Sequence, residues 1–215
     1  MPPRARRLVR RISRRPAIAL PQVDPLAPVL RPAPFDDPDW VFEPKYDGFR
    51  GLAYVTPESC SIRSRRDIEF DRFDELRAIL REQLAVRDAI FDGEIVALDR
   101  NGRPSFRELA RRTSTVAYAI FDVLWLNGRD LRPMPLARRK RFLDLAVPAN
   151  TAHVMKVLSI ETDGVALFKA AGKLDLEGIV AKRKADPYDA GAVWYQVLNP
   201  GYTQKERREA PLRRG

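Results

Sequence analysis

Histidine and cysteine are nearly absent from this 215-residue chain, which holds only His153 and Cys60. A single cysteine excludes an intrachain disulfide and a thiolate-built metal site. A single histidine excludes a Ser-His-Asp arrangement unless His153 itself serves, and nothing around it suggests that it does. Catalysis must then run on Lys, Arg, Asp and Glu, with any metal held by oxygen ligands. Long apolar runs are missing too: no stretch approaches the ~18 residues of a membrane helix. The N-terminus has the charge of a secretory leader but no continuous apolar segment behind it. A cytoplasmic location is the expectation.

Charge is abundant but uneven. The formal net charge is +10, and residues 1–15 carry seven arginines and no acid. Residues 205–215 carry five cations, Lys205, Arg207, Arg208, Arg213 and Arg214, against Glu206 and Glu209. The stretch between, 16–204, is neutral, so the excess sits at the two ends. Basic ends favour a polyanion such as DNA or RNA through counterion release, or serve only as solubilising tails. Residues 1–23 are expected to be a basic, proline-rich, disordered tail, 24–204 one domain, and 205–215 a second basic tail. Leu26, Val29, Leu30 and Phe35 are the residues expected to pin the proline-rich stretch to the domain.

From Trp40 onward the pattern is β, with alternation from Phe49 to Val55 and a return strand over 60–65. Apolar residues Phe70, Phe73, Leu76, Ile79, Leu80 and Leu84 recur at helical spacing. Strands are predicted at 89–98, 116–126, 154–158, 178–183 and 193–198, with an Asn101-Gly102 turn signal. Helices are predicted from Ser105, over 135–145 with a basic face of Arg138 to Arg141, and over 162–173. Single helices interrupting hairpin-linked strands make an α+β fold, with mainly antiparallel sheets flanked by helices.

Four short stretches concentrate the chemistry: Glu43-Pro-Lys45-Tyr-Asp-Gly-Phe-Arg50, Asp92-Gly-Glu94, Phe121-Asp122 and Glu177-Gly-Ile-Val-Ala-Lys182. Lys45 is the candidate nucleophile, and an amine attacks phosphorus only when neutral, so burial and nearby cations such as Arg50 must favour its neutral form. Asp92 and Glu94, two apart on a strand, point to one face. In order and spacing these stretches resemble the adenylation domain of ATP-dependent DNA ligases, with the bacterial end-joining and repair ligases the nearest likeness. The resemblance spans roughly 24–204.

It implies a ligase-type nucleotidyltransferase, ATP-grasp-like fold that forms a lysyl-AMP intermediate on Lys45 and seals DNA strand breaks in repair or recombination. It further implies that Glu43 accepts a hydrogen bond from the adenine amine, Arg50 holds the ribose, and Arg65 contacts nucleotide or DNA. Phe121 would stack on adenine, Glu94 bond the ribose or a metal, Glu177 bind the metal, and Lys182 contact phosphate. ATP and Mg²⁺ (or Mn²⁺) are the implied cofactors, nicked or broken duplex DNA the implied partner, and a nucleoid-associated protein the implied setting. The sequence departs from the family at Gln196 and Leu198, where the pattern has lysines. Removing a charge aimed at developing negative charge costs about 2.7–4 kcal/mol, so the two changes leave room for only slow adenylylation. An OB-fold domain of the kind complete ligases carry is expected to lie outside this stretch, and a DNA-end-binding or OB-fold partner protein is the expected source of such a clamp. A weakened nucleotide- or DNA-binding module and an RNA ligase-like or capping-type nucleotidyltransferase are the alternatives. Glu43, an acceptor for an amine, favours ATP over GTP.

Overall fold

The structure, a computed structural model, describes residues 19–84, 86–99, 104–111, 115–147 and 149–204. Most of the two expected tails and the Asn101-Gly102 turn lie outside these residues. Two sheets face one another. The first holds β1 (Val29–Leu30), β2 (Asp37–Lys45), β9 (Ile160–Thr162), β10 (Gly178–Arg183) and β11 (Trp194–Leu198), in the order β1-β11-β10-β2-β9. The second runs β4-β3-β5-β6-β7, from β3 (Phe49–Val55), β4 (Cys60–Ser64), β5 (Ala89–Ala97), β6 (Val116–Leu126) and β7 (Arg129–Asp130). β8 (Val154–Lys156) pairs with β6. Pairings are antiparallel except β1 with β11 and β6 with β8, so the α+β, mainly antiparallel expectation holds.

Among the described residues, four helices pack outside the sheets: α1 (Asp74–Gln83), α2 (Phe106–Arg111), α3 (Leu136–Ala146) and α4 (Gly164–Lys173). α1 buries Leu76 and Leu80 in the main core with Ile62, Phe91 and Tyr118. α2 opens as its sequence predicts, with Ser105 Oγ accepting from the Glu108 amide at 3.4 Å. α4 lays Leu167 and Ala171 on Phe42, Ile179 and Val197, the outward face of the first sheet. With that face covered by a helix, the opposite face of β2, β10 and β11 is free to line the space between the sheets.

The proline-rich stretch is fixed differently from expectation. Leu26 and Phe35 do pack against core clusters, and Val23 is buried ahead of the expected boundary at 24. Val29 and Leu30, by contrast, are 60% and 63% exposed. They hold the segment through backbone pairing to Tyr195 and Gln196, not through their side chains.

Candidate active site

Three consecutive cross-strand rows build one wall of the site. Glu43 pairs with Val180 and Val180 with Gln196; Lys45 pairs with Gly178 and Gly178 with Leu198; Val41 pairs with Lys182 and Lys182 with Trp194. Because side chains alternate along each strand, Glu43, Lys45, Val180, Lys182, Trp194, Gln196 and Leu198 share the inward face. Gly178 has φ +148, and a Cβ there would meet the Val197 carbonyl at 2.0 Å, so only glycine fits between Lys45 and Leu198. Gly48 is confined by the other sheet: its Cβ would lie 2.2 Å from the Ile95 carbonyl. The bend after Lys45 is therefore also a contact point between the sheets, held by Tyr202 Oη donating to Asp47 Oδ2 at 3.0 Å.

The second sheet supplies the facing wall. β5 presents Glu94 and Asp92 on one face, as the two-residue spacing predicts. β6 carries a bulge: Gly93 pairs with Ile120 but Asp92 with Asp122, which leaves Phe121 as the extra residue and turns its ring inward. Residues Ala27 and Pro28 form a third side. Together they enclose a cavity of about 560 Å³ whose lining includes Glu43, Lys45, Arg50, Arg65, Glu94, Phe121, Lys182 and Gln196. That size lies within the range usual for small-molecule sites, roughly 300–1,000 Å³.

Each charged group has a defined setting. Lys45 Nζ donates to Glu177 Oε2 at 2.6 Å, which brings Glu177 to the site although it precedes β10. The expected cationic neighbour, Arg50, is committed elsewhere: it grips Asp92 with two hydrogen bonds, of 3.0 and 2.7 Å, and the Leu26 carbonyl. Burial lowers the Arg50 pKa, but Asp92 outweighs it and fixes the guanidinium as a cation. Tyr188 Oη also donates to Asp92, at 2.7 Å.

Glu43 is almost fully buried and takes bonds from Lys140, from Ser159 at 2.9 Å and from Lys182 at 2.6 Å. Burial pushes its carboxyl pKa up, yet the two lysines hold it below the usual range. Lys182 is pushed down to about 8 by burial, against the pull of Glu43. Its ammonium lies 4.1 Å from the ring centres of both Phe121 and Trp194. Glu94 is pushed up to about 8, by burial first and then by Glu177 and Asp92, against Lys45 and Arg50. Arg65 is exposed at the cavity rim and has no hydrogen-bond or ion-pair partner among the described residues. Leu198 is 38% exposed.

The ATP-dependent DNA ligase domain model matches residues 32–197. The chain belongs to that family. It is 34% identical over 178 residues to the multifunctional non-homologous end joining DNA repair protein LigD of Mycobacterium tuberculosis, covering 79% of this chain and 23% of that protein. It is 28% identical to the SPbeta prophage-derived DNA ligase-like protein LigB of Bacillus subtilis, over 80% of this chain and 65% of that one. A mycobacterial DNA ligase D complexed with ATP superposes with a TM-score of 0.72 at 30% identity, over 81% of this chain and 60% of that chain. The chain thus spans about a quarter of the LigD length. The ligase-type nucleotidyltransferase fold expected from the motifs is the fold present.

A divalent ion of the kind such a family implies can be tested against the donor set. Among the described residues no cluster of three or more Asp, Glu, His or Cys could hold an ion alone. The Glu94 carboxyl, which makes no side-chain hydrogen bond among the described residues, and Glu177, whose charge acts on it, offer oxygen donors. Two carboxylates completed by phosphate oxygens suit Mg²⁺, so the residues fit.

Sequence reading missed several contributors. The basic face expected on α3 is split: Arg138 and Arg141 are exposed, but Arg139 is fully buried and Lys140 reaches Glu43. Arg139 forms a two-bond ion pair with Asp122, both bonds 2.9 Å. Their positions among Leu136 and Leu143 at helical spacing were the available signal.

Proposed function

We propose that this chain is the adenylation domain of an ATP-dependent DNA ligase, transferring AMP from ATP to Lys45 as the first step of sealing DNA breaks in repair. The observation that carries this reading is the Lys45–Glu177 contact on the wall of a cavity shared with Glu43, Arg50, Glu94, Phe121 and Lys182.

In this reading the neutral Lys45 amine bonds to the α-phosphorus of ATP, the bond from that phosphorus to the bridging β-phosphate oxygen breaks, and the amine's proton leaves with pyrophosphate. Glu43 and Phe121 take the base, the Asp92-anchored Arg50 and Glu94 face the sugar, and Lys182 and Arg65 face phosphate. Glu94 and Glu177 would hold Mg²⁺ or Mn²⁺, which when bound offsets charge on the phosphates. AMP then passes to a DNA 5′-phosphate, and a 3′-hydroxyl displaces it. An OB-fold or DNA-end-binding protein is the kind of partner this reading implies for gripping DNA. Incubation with α-labelled ATP and Mg²⁺ tests the reading: label on the protein should vanish with Lys45→Ala, and persistence of label would refute it.

A second reading, a weakened nucleotide- or DNA-binding module, is favoured by one feature. The inward face next to Lys45 carries uncharged Gln196 and Leu198. DNA binding without any protein labelling would support it.

A further inference from the structure

Glu43 has one acceptor position left. A carboxylate offers about four lone-pair sites. On Glu43, Oε1 takes Lys140 and Ser159, and Oε2 takes Lys182. A single site on Oε2 remains for a donor on a bound base. Which way it points, and whether it stays an acceptor, depends on what holds the carboxylate from behind.

Lys140 does that. It lies outside the cavity lining, on α3, four residues after buried Leu136 and three before buried Leu143. Its ammonium binds Glu43 Oε1 and also donates to the Phe121 carbonyl at 2.8 Å. A bulge leaves its extra residue without a ladder partner, and here the carbonyl of that residue accepts from Lys140. One cation thus ties the acceptor of the base edge to the ring expected against the base face.

We propose that Lys140 is a positioning residue for nucleotide base selection, acting through Glu43 and Phe121. The inference rests on the reading that Glu43 faces the base. It makes Glu43 a fixed acceptor, suited to an exocyclic amine and hostile to a carbonyl at the same place. Among the described residues, the charged and titratable groups around Glu43 are Lys140 from α3, Lys182 from β10 and Tyr46 just after β2. Loss of Lys140 would remove one of the two cations that hold the carboxylate ionised against burial. Glu43 would then protonate more readily and begin to donate.

ATP and ITP distinguish the cases, since ITP carries a carbonyl where ATP carries the amine. Binding of each is measured by titration calorimetry in the Lys45→Ala background, and labelling kinetics in the unaltered background. Lys140→Met should cut the ATP-over-ITP binding ratio by about tenfold or more, the scale of a hydrogen bond to a charged group. It should raise KM for ATP with kcat nearly unchanged, and the ratio should fall further from pH 8 to pH 6. Lys140→Arg should restore the parent ratio. If Lys140→Met unfolds the domain, Lys140→Gln, which loses the charge but keeps a donor, carries the same expectation. An unchanged ratio in a folded charge-free variant would overturn the inference. ATP binding without Lys45 labelling would overturn only the adenylation reading, and absence of ATP binding would overturn both.

Discussion

Leu198 stands in register with Lys45, two strands away on the same sheet face, with only Gly178 between them. Strands lie roughly 4.8 Å apart, so a long side chain at 198 would extend along this face toward Lys45. Gln196 occupies the equivalent place opposite Glu43, across Val180.

Charge restored on this face should therefore speed the transfer. Gln196→Lys combined with Leu198→Lys is expected to raise the rate of self-labelling from α-labelled ATP, by up to about 10²-fold if the new charges meet developing negative charge. A rate unchanged or lowered in a folded double variant would mean that the register does not aim these positions at phosphate.

The buried Arg139–Asp122 pair should be costly to break and cheap to replace. Asp122→Asn leaves a fully buried guanidinium without its counter-charge, at an expected loss of about 3–5 kcal/mol in urea unfolding. The double replacement Asp122→Leu with Arg139→Met should recover most of that loss. A single variant as stable as the parent would contradict the assignment.

Glu94 gives the site a stability cost that depends on pH. Its folded-state pKa, about 8, lies above the ordinary 4.5. Protonated Glu94 is thus tolerated below pH 4.5, and stability falls as pH rises from there through about 8. Glu94→Gln should raise Tm at pH 8.5, by about 2–4 °C for each kcal/mol recovered, and change it little at pH 4.5. Equal Tm shifts at both pH values would show that ionisation is not the cause.

How much of this was legible beforehand depended on whether the signal was local. β10 and β11 stand where alternation and their flanking turns place them, and the motif order placed Glu43, Lys45, Arg50, Arg65, Glu94, Phe121 and Lys182 around one cavity. β1, β7 and β9, of two or three residues, are too short to show a period. Lys140 and Glu43 are 97 positions apart, and Arg139 and Asp122 are 17 apart. No local pattern records such pairs: the spacing with Leu136 and Leu143 marks 139 and 140 as inward positions on α3, but not the acids they reach. The Asp92 carboxylate, shared by Arg50 and Tyr188, was hidden for the same reason.

Peptide mapping by mass spectrometry after incubation with ATP and Mg²⁺ addresses the central assignment most directly. The account predicts an AMP adduct on the peptide that contains Lys45, and on none containing Lys140 or Lys182. An adduct confined to another lysine, or none at all from protein shown to bind ATP, would contradict it.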